Sequence, residues 1–397
     1  MSEPLVSKPP GIDIARAAPV GLTQRILAPD LARGIMLLFI GIANSAIFLY
    51  DRPYGPRQHI VEEGLLDRVV GTFVVTAVDA RAYPLFALLF GYGMVQMFRR
   101  NTARGTTERR TKSILRRRST ALIFFGLLHA VLFFPGDILG LYGVLGFGLL
   151  VLLNWGDRAL LWLASIWVVF ACLVQGAVYA WDGGGEGRSF FQSFESDSLN
   201  ELLPMRFGEW LSTPFGLLPV LATSVIGVIA ARHRILEEPR RHLALLRRLA
   251  YVLVPIGLLG GLPIGLLVGH FIVVDSAGLL FATSFLHSIS GVAAAVGYLA
   301  LIALLSLRLS SSAAGISGAL VALGRRSMSF YLLSSIVFMV VLSPVTFALG
   351  AEFGSAAVFA LAVVTWLASI ALAKWLDVLG KSGPAETLLR RLSYGPK

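Results

Sequence analysis

Residues 282–306 read ATSFLHSISGVAAAVGYLALIALLS, a run without a single Asp, Glu, Lys or Arg and with one histidine, His287. At a helical rise of ~1.5 Å per residue such a run is long enough to cross the ~30 Å hydrocarbon core of a bilayer. Comparable runs lie near residues 31–50, 76–98, 119–135, 138–154, 159–181, 214–231, 250–270, 327–349 and 356–376, making about ten spans in all. Inside a bilayer each backbone N–H and C=O needs an internal partner, which a helix supplies within one segment. The alternating short strands of a membrane barrel are absent. The expected fold is therefore all-α and polytopic.

Composition agrees. Mean hydropathy is +0.76 and charged residues make up 14% of the chain, against about a quarter in ordinary soluble domains. The net charge of +11 is not a nucleic-acid footprint, because the basic residues fall in alternate loops. Residues 99–118 hold nine Arg or Lys against Glu108, and residues 232–248 are similarly basic. Arg308, Arg325, Arg326 and the tail from Lys374 continue the series, whereas the 182–213 loop carries Asp182, Glu186, Glu195, Asp197, Glu201 and Glu209 against Arg188 and Arg206. Basic loops stay in the cytoplasm, so this alternation predicts that both ends of the chain lie inside. The expected organisation is a disordered cytoplasmic tail at 1–24, a transmembrane domain at 25–376 and a cytoplasmic interfacial tail at 377–397. The first 24 residues lack the apolar core of a signal peptide. The single cysteine, Cys172, sits in an apolar run, so neither an intramolecular disulfide nor a cysteine metal site is expected.

Two local patterns qualify the spans. Gly257, Gly261, Gly265 and Gly269 recur every fourth residue and define a helix face that a neighbouring helix can approach closely, within the chain or in a homodimer. Pro255 and Pro263 in the same run are expected to distort it. The stretch 58–75 reads either as an amphipathic surface helix or as part of the second span. In the tail, 383–395 reads as a short helix whose leucines lie on membrane lipids while Arg390 and Arg391 meet headgroups.

Ionisable groups in a bilayer cost several kcal/mol unless paired or hydrated. His129 is the sharpest case, about ten residues into its span, roughly 15 Å deep at the helical rise. Asp137 follows at the far end of the hairpin joined by Pro135-Gly136. A straight helix would hold the two roughly 12 Å apart along its axis, but Pro135-Gly136 gives the chain a place to turn back. A histidine oriented by a carboxylate is the usual general base. Asp79, Arg81, His270, Asp275 and His287 sit near the same end of other spans and, with His129 and Asp137, are expected to line one polar cavity. Asp30 and Arg33, three residues apart, can pair on a helix face. Asn44 and Ser45 can hydrogen-bond across helices or face the cavity. Walker, dinucleotide, HExxH and GxSxG motifs are absent.

Several ordered stretches resemble the YeiB family of bacterial membrane proteins, which carry a C-terminal domain of unknown function. They are Arg25-Ile26, Asp30-Leu31-Ala32-Arg33-Gly34, Tyr83-Pro84-Leu85-Phe86, Leu89 to Gly93, and Gly126-Leu127-Leu128-His129 followed by Gly136-Asp137-Ile138-Leu139 and Tyr142. Gly324-Arg325, Ser327, Tyr331-Leu332-Leu333, Gly383-Pro384, Glu386 and Arg390 complete the set. The chain departs from the family at Ser329-Phe330, where a Thr-Asn pair is usual, at Ser334, and at Thr387 and Leu389, where tryptophans are common. The resemblance implies a multi-pass protein of the bacterial inner membrane, with a fold similar to transmembrane acyltransferases.

The expected function is a membrane acyltransferase-like enzyme that modifies a cell-envelope glycan or lipid. His129 is its candidate general base and Asp137 the orienting carboxylate. Arg33, Asn44, Arg81, Tyr142 and His287 are the candidate substrate-binding residues, and no metal is expected. No bound cofactor is expected either, but an acyl-CoA or another acyl donor is a candidate co-substrate, attracted by Arg33 and the basic 99–118 loop. The alternatives are a transporter or lipid translocator with an outward polar cavity, and a noncatalytic scaffold or sensor that uses the acidic loop. The inside position of both termini predicts a labelling pattern for single cysteines placed in a Cys172→Ser background. A membrane-impermeant maleimide should label Ser196→Cys in intact cells and Thr106→Cys only after permeabilisation; the opposite pattern reverses the topology.

Overall fold

A computed structural model describes residues 27–181, 187–274, 276–309 and 315–395. The expected tail at 1–24, together with Asp182, Glu186 and Asp275, lies outside the described residues. Helix α1 (Leu27–Ala46) leads through an irregular segment to α2 (Leu65–Ala77), α3 (Ala82–Ala103), α4 (Glu108–Leu132), α5 (Ile138–Leu152) and α6 (Asp157–Trp181). After the acidic segment come α7 (Leu199–Gly216), α8 (Pro219–Arg232), α9 (Leu243–Val268), α10 (Ala277–Leu309), α11 (Ile316–Gly324), α12 (Ser327–Leu342), α13 (Ser355–Val378) and α14 (Pro384–Tyr394). The all-helical expectation is met; the described residues hold no strand beyond an isolated bridge between Tyr54 and Ile60.

Among the described residues six helices are long and apolar enough to span a membrane, and eight spans result if the bent pairs α7–α8 and α11–α12 each count as one. The expected count of ten is not reached, because the α4–α5 hairpin falls short by these measures. The first half of α4 carries Arg109, Arg110, Lys112, Arg116, Arg117 and Arg118, and α5 has only 15 residues. The two helices enter and leave together, so whether they cross fully does not change the side assigned to any other loop. The expected 99–118 loop is also mostly helix, since α3 runs to Ala103 and α4 starts at Glu108, capped by the Thr107 hydroxyl.

The outer surface is that of a membrane protein. On α6, Trp162, Ile166, Val169, Phe170 and Leu173 are exposed along one stripe, Ile166 to 66%. So large an apolar face is tolerable where the surrounding solvent is hydrocarbon. Lipid chains are as apolar as these side chains, so the interior must cohere by close packing instead. The α3–α8 contact shows how. A Cβ added at Gly91 would strike the Ser224 carbonyl, and one at Gly227 would strike the Leu88 carbonyl, so each helix lets the other's backbone in. The glycine face of α9 is used the same way. Gly261, Gly265 and Gly269 lie against Thr76, Thr72 and Arg68 of α2, and Gly257 lies against Ala294 of α10. That face is therefore occupied within one chain, and Pro255 and Pro263 are accommodated inside an unbroken helix.

The bends have local causes. Pro219 begins α8 after a two-residue break from the end of α7, and the pair turns by 58°. Between α11 and α12 the turn is 86°, and Arg326 holds it by donating to the carbonyls of Ala322 and Lys381 and pairing with Asp377 at 3.2 Å. Between α2 and α3 the chain breaks at Val78–Arg81, with Ala80 at φ 55°.

The ends of the bundle differ in charge. At the basic end Arg99 pairs with Glu237, and Arg232 and His233 pair with Asp157. At the other end the acidic segment folds back onto the residues after α1. Buried Arg188 donates to the carbonyls of Ile47, Leu49 and Phe190. Tyr54 donates to Glu195 at 2.9 Å, and burial pushes its hydroxyl up to about 12. Placing valine at Gly227 should overpack the α3–α8 contact and lower stability by ~1–3 kcal/mol, read as an earlier melting midpoint in detergent, whereas Gly208→Ala, where a Cβ meets nothing, should leave the midpoint almost unchanged.

Candidate functional site

The Pro135-Gly136 turn brings Asp137 back against the helix it has just left. His129 Nδ1 lies 2.8 Å from Asp137 Oδ1, and both side chains have 0% exposure. A carboxylate only accepts, so Nδ1 carries a proton, and in the neutral imidazole Nε2 then presents its lone pair. The other carboxylate oxygen, Oδ2, accepts from Gly140 N at 2.6 Å as the N-cap of α5. One aspartate thus starts a helix and aims an imidazole. The contact depends on Gly126, where a Cβ would strike Asp137 Oδ2 and Gly140 N.

His129 Nε2 is buried and has no hydrogen-bond partner among the described residues. Tyr331, on α12, packs at a tilt against the imidazole with ring centroids 4.8 Å apart, and its own hydroxyl has no geometrically well-formed hydrogen bond among the described residues. Buried polar atoms are almost always satisfied, so two orphaned groups on neighbouring rings mark a place where a polar ligand or water belongs. Arg206 of α7, fully buried, braces the turn by donating to the Leu132 carbonyl at 3.1 Å and stacking near Phe194. Tyr142, one turn into α5, packs between Phe86 and Phe90 and reaches the Tyr83 carbonyl at 3.4 Å.

The expected single cavity resolves into two clusters. Arg81 and His287 do not join His129. Arg81 donates to His287 Nδ1 at 2.7 Å and to the carbonyls of Asp79 and Gly257 at 2.8 Å each. Asp79 pairs instead with Arg57 at 3.0 Å and lies 3.5 Å from His287 Nε2. The physical reason is the break at Val78–Arg81, which turns Asp79 and Arg81 toward α9 and α10 rather than toward α4. His270 sits apart, its carbonyl accepting from Arg68. Asn44 is half-buried on α1 and joins neither cluster, and Ser45 bonds its own helix at the Ile42 carbonyl.

Arg33 belongs to a third group, at the basic end. It pairs with Asp30 at 2.9 Å, as its spacing predicts. Beside it stands Arg118, half-buried and without an ion-pair partner among the described residues. Arg118 and His129 are eleven residues apart on α4, which puts them on nearly the same helix face about 16 Å apart. Helix α14 covers this end, packing on α4 and α12. Its expected membrane face is divided: Leu389 is buried in the protein and Leu388 and Leu392 remain exposed. Glu386 accepts from the N–H groups of Met328 and Ser329 and from the Ser329 hydroxyl, capping α12 one turn before Tyr331. Sequence reasoning missed Tyr331 and Arg57 as site residues. Tyr331 stood among the residues of the family resemblance, but nothing local placed it beside His129. Among the described residues no group of His, Cys, Asp and Glu is arranged to hold a metal.

Residues 230–396 match the family described as "Protein of unknown function (DUF418)". Over 259 residues the chain is 27% identical to the Uncharacterized protein YxaH of Bacillus subtilis (strain 168), covering 58% of this chain and 64% of that one. Over 128 residues it is 34% identical to the Uncharacterized 39.9 kDa protein in amylase 3'region of Bacillus acidopullulyticus, covering 32% of this chain and 34% of that one. The chain thus spans less than two thirds of the length of either relative. No solved structure matches. The matched segment contains the bent α11–α12 pair, Tyr331 and α14, and the YeiB resemblance fits it. Over this segment, 230–396, the chain is similar to the DUF418 family of probable membrane proteins of unknown function.

Proposed function

We propose that this protein is an acyltransferase-like enzyme of the bacterial inner membrane that modifies a cell-envelope glycan or lipid. The observation that carries the reading is the His129–Asp137 pair, 2.8 Å apart and fully buried, with Nε2 left unpartnered. Asp137 fixes the Nδ1–H tautomer, so Nε2 can take a proton from an acceptor hydroxyl as its oxygen attacks an acyl carbonyl. A carbon–oxygen bond forms, the bond from the acyl carbon to its carrier breaks, and the proton leaves through His129 to the departing group. With an acyl-CoA as donor, the departing group is the thiol. Arg33 of α1 and Arg118, which lies on the same face of α4 as the histidine, supply positive charge for the donor's phosphates. Tyr331 packs beside the imidazole, and Nε2 is buried, so substrates reach it only when the surrounding side chains shift. A solute or lipid translocator is the competing reading, favoured by the separate buried cluster at Asp79, and donor-independent flux in proteoliposomes would support it instead.

Two expected outcomes test the catalytic reading. Purified protein in nanodiscs supplied with acetyl-CoA and envelope lipid or glycan extract should release free thiol, and His129→Ala should slow that release by ~10²–10⁴-fold. Equal rates, or no release with any donor in either protein, would remove the proposal. Asp137→Asn keeps an oxygen that can cap α5 but no longer enforces the tautomer, so it should lower kcat with little loss of melting temperature. Asp137→Ala should lose both, with a stability cost of ~2–4 kcal/mol from the missing cap and the missing charged hydrogen bond.

A further inference from the structure

Among the described residues, the cluster at the non-basic end of the bundle is unbalanced in charge. Two guanidiniums, Arg57 and Arg81, meet at one aspartate, Asp79: Arg57 pairs with its carboxylate and Arg81 donates to its backbone carbonyl. Arg57 takes that carboxylate through both Nε and Nη2, at 3.2 and 3.0 Å. Arg81, with no exposed surface at all, is left with neutral acceptors only: two backbone carbonyls and an imidazole nitrogen. Because Arg81 can only donate, His287 Nδ1 must accept, and His287 is the neutral Nε2–H tautomer facing Asp79. His59, in the segment before α2, cannot compensate the surplus cation, since an imidazole is either neutral or positive. An unpaired cation buried beside hydrocarbon is among the costliest arrangements a protein can keep.

The unused hydrogen-bonding capacity is of matching sign. Arg57 Nη1, Arg81 Nε and the amide nitrogen of Gln58 are buried donors without a partner among the described residues. Three free donors, on Arg57, on its chain neighbour Gln58 and on Arg81, together with one surplus positive charge among the described residues, fit a group that only accepts and carries a single negative charge. Asp79 retains 21% side-chain exposure, so the cluster is open on that side. We propose that Arg57 and Arg81 form an anion site that takes the carboxylate or phosphate group of a ligand from the non-basic side of the membrane, with Asp79 as its resident competitor. The site is separate from the His129 pair and does not rest on the catalytic reading.

The experiment follows thermal unfolding of the purified full-length protein in detergent. Acetate or inorganic phosphate replaces chloride at constant ionic strength, and phosphatidylglycerol is titrated in a parallel series. A ligand that binds only the folded state raises the midpoint, the stabilisation growing as RT ln(1 + L/Kd) with free ligand concentration L. A rise with acetate or phosphate identifies a free oxyanion, and a rise with phosphatidylglycerol alone identifies a lipid headgroup. In Arg81→Gln the half-saturating concentration should increase about tenfold or more, the effect of losing one charged hydrogen bond. Asp79→Asn should respond in the opposite sense, binding the anion several-fold more tightly although it is less stable without it. His129→Ala should keep the wild-type response. If Arg81→Gln does not fold, Arg57→Gln and Asp79→Asn are read in the same way. No anion-dependent rise, an unchanged response in the arginine variants, or weaker binding in Asp79→Asn would overturn the proposal.

Discussion

Close approach of helix backbones is the constraint on which the rest of this molecule depends. In water, helices are pressed together by the expulsion of apolar surface, but in hydrocarbon that force is nearly absent. Contact area and satisfied polar groups must supply cohesion instead. Gly91 and Gly227 join α3 to α8, the α9 face receives α2, and Gly324 meets the Asp30 carbonyl of α1. The same device makes the site. Without the space at Gly126, the Asp137 carboxylate could not lie against the helix that bears His129. Packing and chemistry therefore share one origin, and a side chain added at such a glycine would disturb both.

Much of this was legible in the sequence because the bilayer makes polarity conspicuous. His129 stood out by its depth, and the Pro135-Gly136 turn offered the only route by which Asp137 could return to it. The Asp30–Arg33 pair followed from helix spacing. Other features were hidden for equally physical reasons. Arg57 lies in an irregular segment outside any apolar run, so nothing local marked it as a partner for Asp79. Tyr331 is an ordinary residue of α12, and its meeting with His129 depends on an 86° bend whose angle is set by Arg326 and Asp377. The separation of Asp79, Arg81 and His287 from His129 depends on the short break between α2 and α3. A map of depth along the membrane normal does not contain that rotation.

The basic residues also serve more than one purpose. Arg99 and Arg232 spend their charge on Glu237 and Asp157, joining loops at one end of the bundle. Arg325 and Arg326 hold the bent helix pair through Asp377. Arg118, partnered by no carboxylate among the described residues, differs from these, and its position above His129 on one helix face gives a net charge of ordinary sign a specific address. The acidic segment is likewise committed. Arg188 is spent on three carbonyls, and Glu195 and Glu209 bond Tyr54 and Ser193, so residues 187–213 are a folded part of the bundle rather than a free arm.

The cap that Glu386 places on α12 has a consequence for the order of events during synthesis. The amide groups of Met328 and Ser329 leave the ribosome more than fifty residues before the carboxylate that satisfies them. Until then the first turn of α12, and with it the ring of Tyr331 against the imidazole, lacks its anchor. The pocket around His129 is consequently among the last parts of the protein to take its final shape, and a chain shortened before residue 386 would carry the histidine and the aspartate without the wall that encloses them.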